Sequence, residues 1–250
     1  MTSITFPEGG YRFVPGVMQY SAGVRALEGF AIERVTLRRP VPLAAGFDLI
    51  ERVLQGLGRP MQAFCACELR SPAPFTEAGF LAFNRLYVER LTAWQVLRDG
   101  VNPVARSNVC PDLSPPPEPS FYAFAYTVPA ADPAPCFVIA GSGEVPEGKG
   151  DYRSHIVRPG DLSLDGLRDK VRFVMGEMER RLGALDLTWD ETTAVQAYTV
   201  HDIHPVLADE IVGRITGPHG LTWQYCRPPV VGLDYEMDCR GIATETVLTP

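Results

Sequence analysis

Pro103-Val104-Ala105-Arg106-Ser107-Asn108-Val109 is a short basic turn that runs into a β-branched stretch, near the middle of a 250-residue chain. An arginine presents a planar fork of donors that matches a carboxylate bidentately, and a serine beside it can add a hydroxyl donor to the same pair of oxygens. The pattern fits the grip on an acid. The other reading of Arg106 is a surface charge paired with Asp112 or Glu118, the ordinary role of a loop arginine.

Composition narrows the classes. Hydrophobic residues make up 46% and charged residues 21%, the range of a packed globular chain rather than a disordered one. The length allows one large domain or two of ordinary size. The formal charge is −7, and adjacent basic residues never exceed the pairs Arg38-Arg39 and Arg180-Arg181, so nucleic-acid binding has no electrostatic footprint. No uninterrupted apolar run reaches about 18 residues, and Met1 to Gly10 lack the basic and apolar regions of a secretory signal, so neither membrane nor export is expected. The six cysteines, Cys65, Cys67, Cys110, Cys136, Cys226 and Cys239, are dispersed and form no CxxC pair, which predicts reduced thiols and a cytoplasmic location.

Periodicity divides the chain into two similar halves. Residues up to Val41 read as short strands at Tyr11-Val14, Val17-Val24 and Phe30-Leu37. Phe47, Ile50, Val53, Leu54 and Leu57 then form one helical stripe with Gly58 beyond its end. Met61 to Leu69 reads as a strand, and Thr76 caps a helix whose buried stripe is Phe80, Phe83, Tyr87, Leu91 and Trp94. Ser120 to Val128 closes the first half as an aromatic strand. After the dilute linker Pro129 to Pro135 the order recurs: strand Cys136-Ala140, a helix capped by Ser163 with stripe Leu167, Val171, Val174, Met178 and Leu182, strand Thr192-Val200, a helix opened by Pro205 with Leu207, Ile211 and Ile215, then strand material at Thr222-Tyr225 and Val230-Cys239. Domains over 1–129 and 130–250 are expected, each α+β with two helices on one face of a mixed sheet.

This element order resembles the reactive-intermediate deaminase (RidA/YjgF) superfamily, of chorismate-mutase-like fold, whose domains hydrolyse enamines and imines and assemble as trimers with sites between subunits. Gln19-Tyr20-Ser21-Ala22-Gly23-Val24 is similar to its early strand, Asn84 to Tyr87 to its second-helix motif, and Val104-Ala105-Arg106-Ser107 to the turn whose arginine holds the substrate carboxylate. Ser142-Gly143-Glu144 stands in the place of its SGQ strand end. Tyr235-Glu236-Met237-Asp238 is similar to its closing acidic strand, where a glutamate positions water or supplies the proton. Neither half keeps a whole site: the second has Pro218-His219-Gly220-Leu221 in place of the arginine turn, and the first has Ser120-Phe121-Tyr122-Ala123 in place of the acidic strand. The resemblance therefore implies one composite site, with Arg106 from the first half and Glu236 from the second. The stretches Cys65 to Pro72 and Asn102 to Pro111 are similar to two-domain deaminases of 2-aminomuconate-type diacids.

Hydrolysis of such an enamine asks for a fixed carboxylate, a proton donor to the chain and water at the amine-bearing carbon. Arg106 with Ser107 meets the first need, and Glu236 meets the other two, since a glutamate among apolar groups favours its neutral form and can act as acid, then base. A solvated edge-strand carboxylate, or a partner for Arg240, is the alternative for Glu236. The far carboxylate of a diacid asks for a second cation, Arg70 or Arg227, although Arg70 could equally pair with Glu68 or Glu77. Tyr20, Ser21, Asn84, Ser142 and Gly143 are the expected walls, with Tyr20 and Asn84 also readable as satisfied core groups. His201 and His204 straddle a helix start without a third matched ligand, so no metal and no cofactor are expected. The expected function is a deaminase releasing ammonia from a small-molecule dicarboxylate; the rivals are a chorismatase-like lyase or hydrolase and a non-catalytic keto-acid binder. A homotrimer is expected, covering the helix-free sheet faces around a threefold axis.

Overall fold

A computed structural model of the chain describes residues 2–249 apart from Asp132, which lies in the linker, and Gly150. Three short strands, β1 (Ile4–Phe6), β2 (Tyr11–Val14) and β3 (Gly23–Ala26), precede the long β4 (Phe30–Pro42). Pro42 hands β4 directly to α1 (Leu43–Gly56), and β5 (Phe64–Arg70), α2 (Glu77–Ala93), β6 (Ala105–Pro111) and β7 (Ser120–Pro129) complete the first half. The second half runs through β8 (Phe137–Gly143), the one-turn helix α3 (Tyr152–His155), α4 (Leu164–Ala184), β9 (Ala194–Tyr198) and the short α5 (His204–Val206). It ends with β10 (Thr222–Gln224), β11 (Cys226–Arg227), β12 (Glu236–Gly241) and β13 (Thr244–Leu248).

The strands form two mixed sheets, β11-β6-β5-β7-β4-β13 and β1-β2-β3-β8-β12-β9-β10. Within them β4-β7-β5-β6 and β8-β12-β9-β10 repeat one plan, two antiparallel neighbours followed by a parallel one. The ends of the chain cross over. β3 pairs with β8, so the N-terminal strands extend the sheet of the second half, while β11 and β13 flank the sheet of the first. The division at 129/130 falls between β7 and β8, separating the two four-strand sets but not the flanking strands.

Three apolar layers hold this arrangement. Phe47, Ile50 and Leu54 of α1 and Phe80, Phe83, Tyr87 and Leu91 of α2 pack on Leu69, Phe121 and Phe124 of the six-stranded sheet. Val171, Val174, Met178 and Leu182 of α4 pack on Ile139, Val195 and Met237 of the other. Between the helix-free faces lies a third cluster, in which Ala66, Ala105, Ala125 and Ala140 join Phe13, Val24 and Ile32. Small side chains there let the two sheets approach. The sequence-based reason for a homotrimer, a helix-free face needing cover, is thus met inside one chain, where each sheet covers the other. Among the described residues no helix is long and apolar enough to cross a membrane, and all six cysteines are free and buried.

The helix caps follow the sequence: Thr76 accepts from the Gly79 amide at 3.1 Å and Ser163 from the Gly166 amide at 3.2 Å. Two elements differ most from expectation, while the expected strands Val230-Cys239 and Met61-Leu69 begin only at Glu236 and Phe64. Val17 to Tyr20 forms a closed turn rather than a strand, because the two residues bond each other's backbone and Ser21 N–H donates to Val104 O at 2.8 Å. The helix expected from Pro205 is a single turn that widens into a π-helix over Leu207–Val212. Glu210 and Ile211 both turn inward there, and Arg168 and Arg172 of α4 hold the Glu210 carboxylate at 3.3 and 2.7 Å.

Gly46 on α1 lies so close to β7 that an added Cβ would enter the Phe121 ring, whereas one at Gly56 would meet nothing. Alanine gains up to about 1 kcal/mol of helix propensity at either site, but overpacking costs about 1–3 kcal/mol. Gly46→Ala is therefore expected to lower stability in urea unfolding, and Gly56→Ala to leave it unchanged or raise it; equal effects would mean that α1 does not seat on Phe121.

Candidate active site

Strand alternation sends Arg106 and Asn108 to one face of β6, and Ala105 and Ser107 to the other. Arg106 points under α2, where only 3% of the residue is exposed. Its Nη2 donates to Asn84 Oδ1 at 2.7 Å, and its guanidinium carbon lies 4.7 Å from the Tyr87 ring centroid, 5.7 Å from Phe83 and 5.8 Å from Phe80 and Tyr20. Aromatic faces soften the burial of a cation but do not neutralise it. Among the described residues no carboxylate pairs with Arg106, and its buried Nη1 has no partner. The surface-charge reading fails, and Asp112 pairs instead with Arg227 at 2.7 Å.

Ser107 faces the opposite sheet, so its hydroxyl does not join the arginine's grip. It donates to Asp238 Oδ2 at 2.5 Å, and Asp238 also accepts from Gln196 Nε2 and Tyr198 OH, both at 2.9 Å. Glu236 stands two residues earlier on the same face of β12, a central strand rather than an edge. It is 4% exposed, and its carboxyl has no hydrogen-bond partner among the described residues. Burial raises its pKa well above the ordinary carboxylate range, Asp238 adds to the rise, and the Arg181 guanidinium opposes it. Tyr235 and Met237 turn to the helix side, and Arg240 pairs with Glu245 at 2.6 Å rather than with Glu236.

Gly141 makes the meeting of the halves possible. A Cβ there would strike Glu236 Oε1 and stand 3.2 Å from the Cα of Ser107, so a side chain would push the two sheets apart. The strand end beyond it is anchored by Glu144, which accepts from the Asp234 and Tyr235 amides at 2.6 and 3.1 Å and pairs with Lys170 at 3.2 Å, in full burial. Breaking such a pair costs about 3–5 kcal/mol, so the chain leading into Glu236 is held firmly. Arg181 of α4, also fully buried, donates to Ala140 O at 2.7 Å and Gly141 O at 3.3 Å and pairs with Glu147 at 2.7 Å.

A cleft opens between the halves, lined by Tyr20, Phe80, Arg106 and Asn108 from the first and by Gly141, Ser142, Gly143, Glu147, Tyr152 and Glu236 from the second. The composite pocket forms within a single chain. Five of the expected residues converge there: Tyr20, Arg106, Ser142, Gly143 and Glu236. Asn84 and Ser107 act from behind, and Ser21 bonds Pro103 O at 3.0 Å, fixing the turn that leads into β6. Arg70 is not in the lining: it donates to Gln224 Oε1 at 3.2 Å and Leu69 O at 3.0 Å, lies 3.7 Å from Glu68 and covers the Tyr122 ring at 4.1 Å. Arg227 is exposed and paired. His201 bonds Asp234 and His204 bonds Asp202, and among the described residues no three potential ligands gather at one point. Asn108, Glu147 and Tyr152 were not anticipated; alternation from Arg106 points to Asn108, but nothing local marks the other two.

A buried guanidinium with an unpartnered nitrogen and a carboxyl held toward its neutral form share this cleft, an arrangement able to bind an acid and to give up a proton. The chain matches the family model described as 2-aminomuconate deaminase CnbZ over residues 3–246, and it belongs to that family. It is 50% identical over 248 residues to 2-amino-5-chloromuconate deaminase of Comamonas testosteroni, covering 98% of this chain and 99% of that one. The protein is a deaminase. Its fold is similar to a crystal structure of chorismatase, with a TM-score of 0.56 at 9% identity, covering 97% of this chain and 80% of that one; this likeness is one of fold alone.

The raised pKa of Glu236 fixes the sign of a stability effect. The folded protein favours the neutral acid, so this contribution is full below the unfolded value and is lost as pH rises through the raised folded value. Glu236→Gln stays neutral throughout, and its melting temperature is expected to exceed that of the wild type by a margin that grows as pH rises above the ordinary carboxylate range. Parallel pH dependences would show that Glu236 is not held as the neutral acid.

Proposed function

We propose that the protein hydrolyses 2-aminomuconate-type enamine diacids, 2-amino-5-chloromuconate among them, to the 2-hydroxy or 2-oxo diacid with release of ammonia. It does so as a cytoplasmic step of aromatic-compound degradation. The repeated strand plan supports two RidA-like units joined in tandem, each contributing half of the pocket. The observation that carries this reading is the cleft shared by Arg106, with its unpartnered buried nitrogen, and Glu236, whose burial favours the neutral acid.

Arg106 Nη1 takes the carboxylate beside the amine-bearing carbon, with Asn84 and the aromatic faces fixing the guanidinium. Neutral Glu236 donates its proton to the carbon chain, converting the enamine to an iminium, and is left as the carboxylate. That carboxylate takes a proton from water as the oxygen bonds to the iminium carbon. The carbinolamine then loses ammonia, the C–N bond breaking as C=O forms and the proton passing to nitrogen. One water is consumed and one ammonia released, and the 2-oxo and 2-hydroxy forms differ only by a proton shift.

The test follows loss of the conjugated chromophore and ammonia release with 2-aminomuconate and 2-amino-5-chloromuconate. Glu236→Gln is expected to lower kcat by about 10²–10⁴-fold. Arg106→Lys, which keeps the charge but not the fixed planar donor, is expected to lower kcat/KM by a factor of tens or more. The wild-type rate should fall on the alkaline side as Glu236 ionises, and this limb should vanish in Glu236→Gln. Full activity in either variant would refute the assignment.

A further inference from the structure

We propose that Asn108 reads the distal carboxylate of the bound diacid, so that its side-chain amide makes the site selective for dicarboxylates over monocarboxylates. This deepens the deaminase reading above and rests on it for the position of the first carboxylate. Among the described residues, the buried side-chain donors at the cleft that lack any partner are Arg106 Nη1 and Asn108 Nδ2. Leaving a buried donor unpaired costs about 1–3 kcal/mol, so two together in one cleft mark places for acceptor atoms of a ligand.

The Asn108 amide is held in one orientation. Ser71 Oγ donates to Asn108 Oδ1 at 2.9 Å, which leaves Nδ2 as the free end of a side chain that is 4% exposed. Arg106 and Asn108 share a face of β6, two residues or ~6.6 Å apart along the strand. That separation exceeds the span between the two oxygens of one carboxylate and suits acceptors at opposite ends of a rigid conjugated chain. Arg70, the cation expected for the second carboxylate, is committed to Gln224, Leu69 and Tyr122 outside the cleft. A neutral donor also has an advantage over a second cation, which would favour ionised Glu236 and remove the proton the reaction needs.

The test measures binding, so it does not depend on turnover. Calorimetry compares muconate, a diacid without the amine, with sorbate, the corresponding monoacid, in the wild type, Asn108→Ala and Asn108→Asp. The wild type is expected to prefer muconate by about tenfold or more, Asn108→Ala to bring that preference to within about threefold of unity, and Asn108→Asp to reverse it by setting a carboxylate against the ligand. Asn108→Asp keeps an acceptor for Ser71 and so guards against simple misfolding. An unchanged preference in Asn108→Ala, or muconate binding as tight in Asn108→Asp as in the wild type, would overturn the proposal; the second result would mean that the amide oxygen faces the cleft. Absence of wild-type binding to muconate would overturn it as well. Failure of the wild type to release ammonia from 2-aminomuconate, with the binding preference intact, would instead defeat the deaminase chemistry and leave the Asn108 assignment standing.

Discussion

The hydrogen bond from Ser107 to Asp238 joins the two sheets at the point on which the site depends. In an extended strand neighbouring side chains take opposite faces and alternate ones share a face. Once Ser107 is committed inward to Asp238, Arg106 and Asn108 must lie on the helix side of β6, and Glu236 must lie on the inward side of β12. One contact between residues 131 positions apart thus sets the facing of an arginine and a glutamate in different halves of the chain. Gly141 and the alanines between the sheets supply the close approach that lets the bond form.

The treatment of charge elsewhere in the molecule shows why the cleft stands apart. Glu144 is paired with Lys170 and two backbone amides, Glu68 with Arg34 at 2.6 Å, and Glu210 with two arginines of α4. These groups obey the rule that a buried charge is matched. Arg106 has no such counter-ion, and Glu236 is held toward its neutral form instead, although both are largely buried. A fold that pairs these ions and leaves Arg106 Nη1 and the Glu236 carboxyl open gives up stability at the place where a substrate supplies the missing partners.

Much of this was legible in the sequence because the signals were local. The stripes and caps of α2 and α4 emerged as read, since a Thr or Ser ahead of periodic apolar residues satisfies the first-turn amides wherever the helix docks. The region after Pro205 misled because its periodicity is real while its geometry is set by α4, whose arginines draw Glu210 inward. The crossing of β1–β3, β11 and β13 between sheets left no trace in periodicity, which records the facing of a strand and not its neighbours. Within the site, Arg106 and Glu236 were marked by their motifs. The reading of Ser107 as a substrate ligand overlooked alternation, which turns it away from Arg106, and the same alternation brings Asn108 alongside. Arg70 was a candidate as a cation in the half that bears Arg106, yet its strand face directs it to Gln224 and Tyr122. Glu147 reaches the cleft through Arg181, 34 residues onward, a contact invisible until the chain is folded.

The central claim is that one chain, through both of its halves, surrounds one substrate molecule. A crystal structure of the wild-type protein with bound muconate tests it most directly. The account predicts a carboxylate within hydrogen-bond distance of Arg106 Nη1 and, on the same ligand and in the same chain, the Glu236 carboxyl in contact with the carbon chain next to that carboxylate. A ligand seated elsewhere, or one that touches Arg106 while Glu236 of that chain stays out of contact, would contradict it.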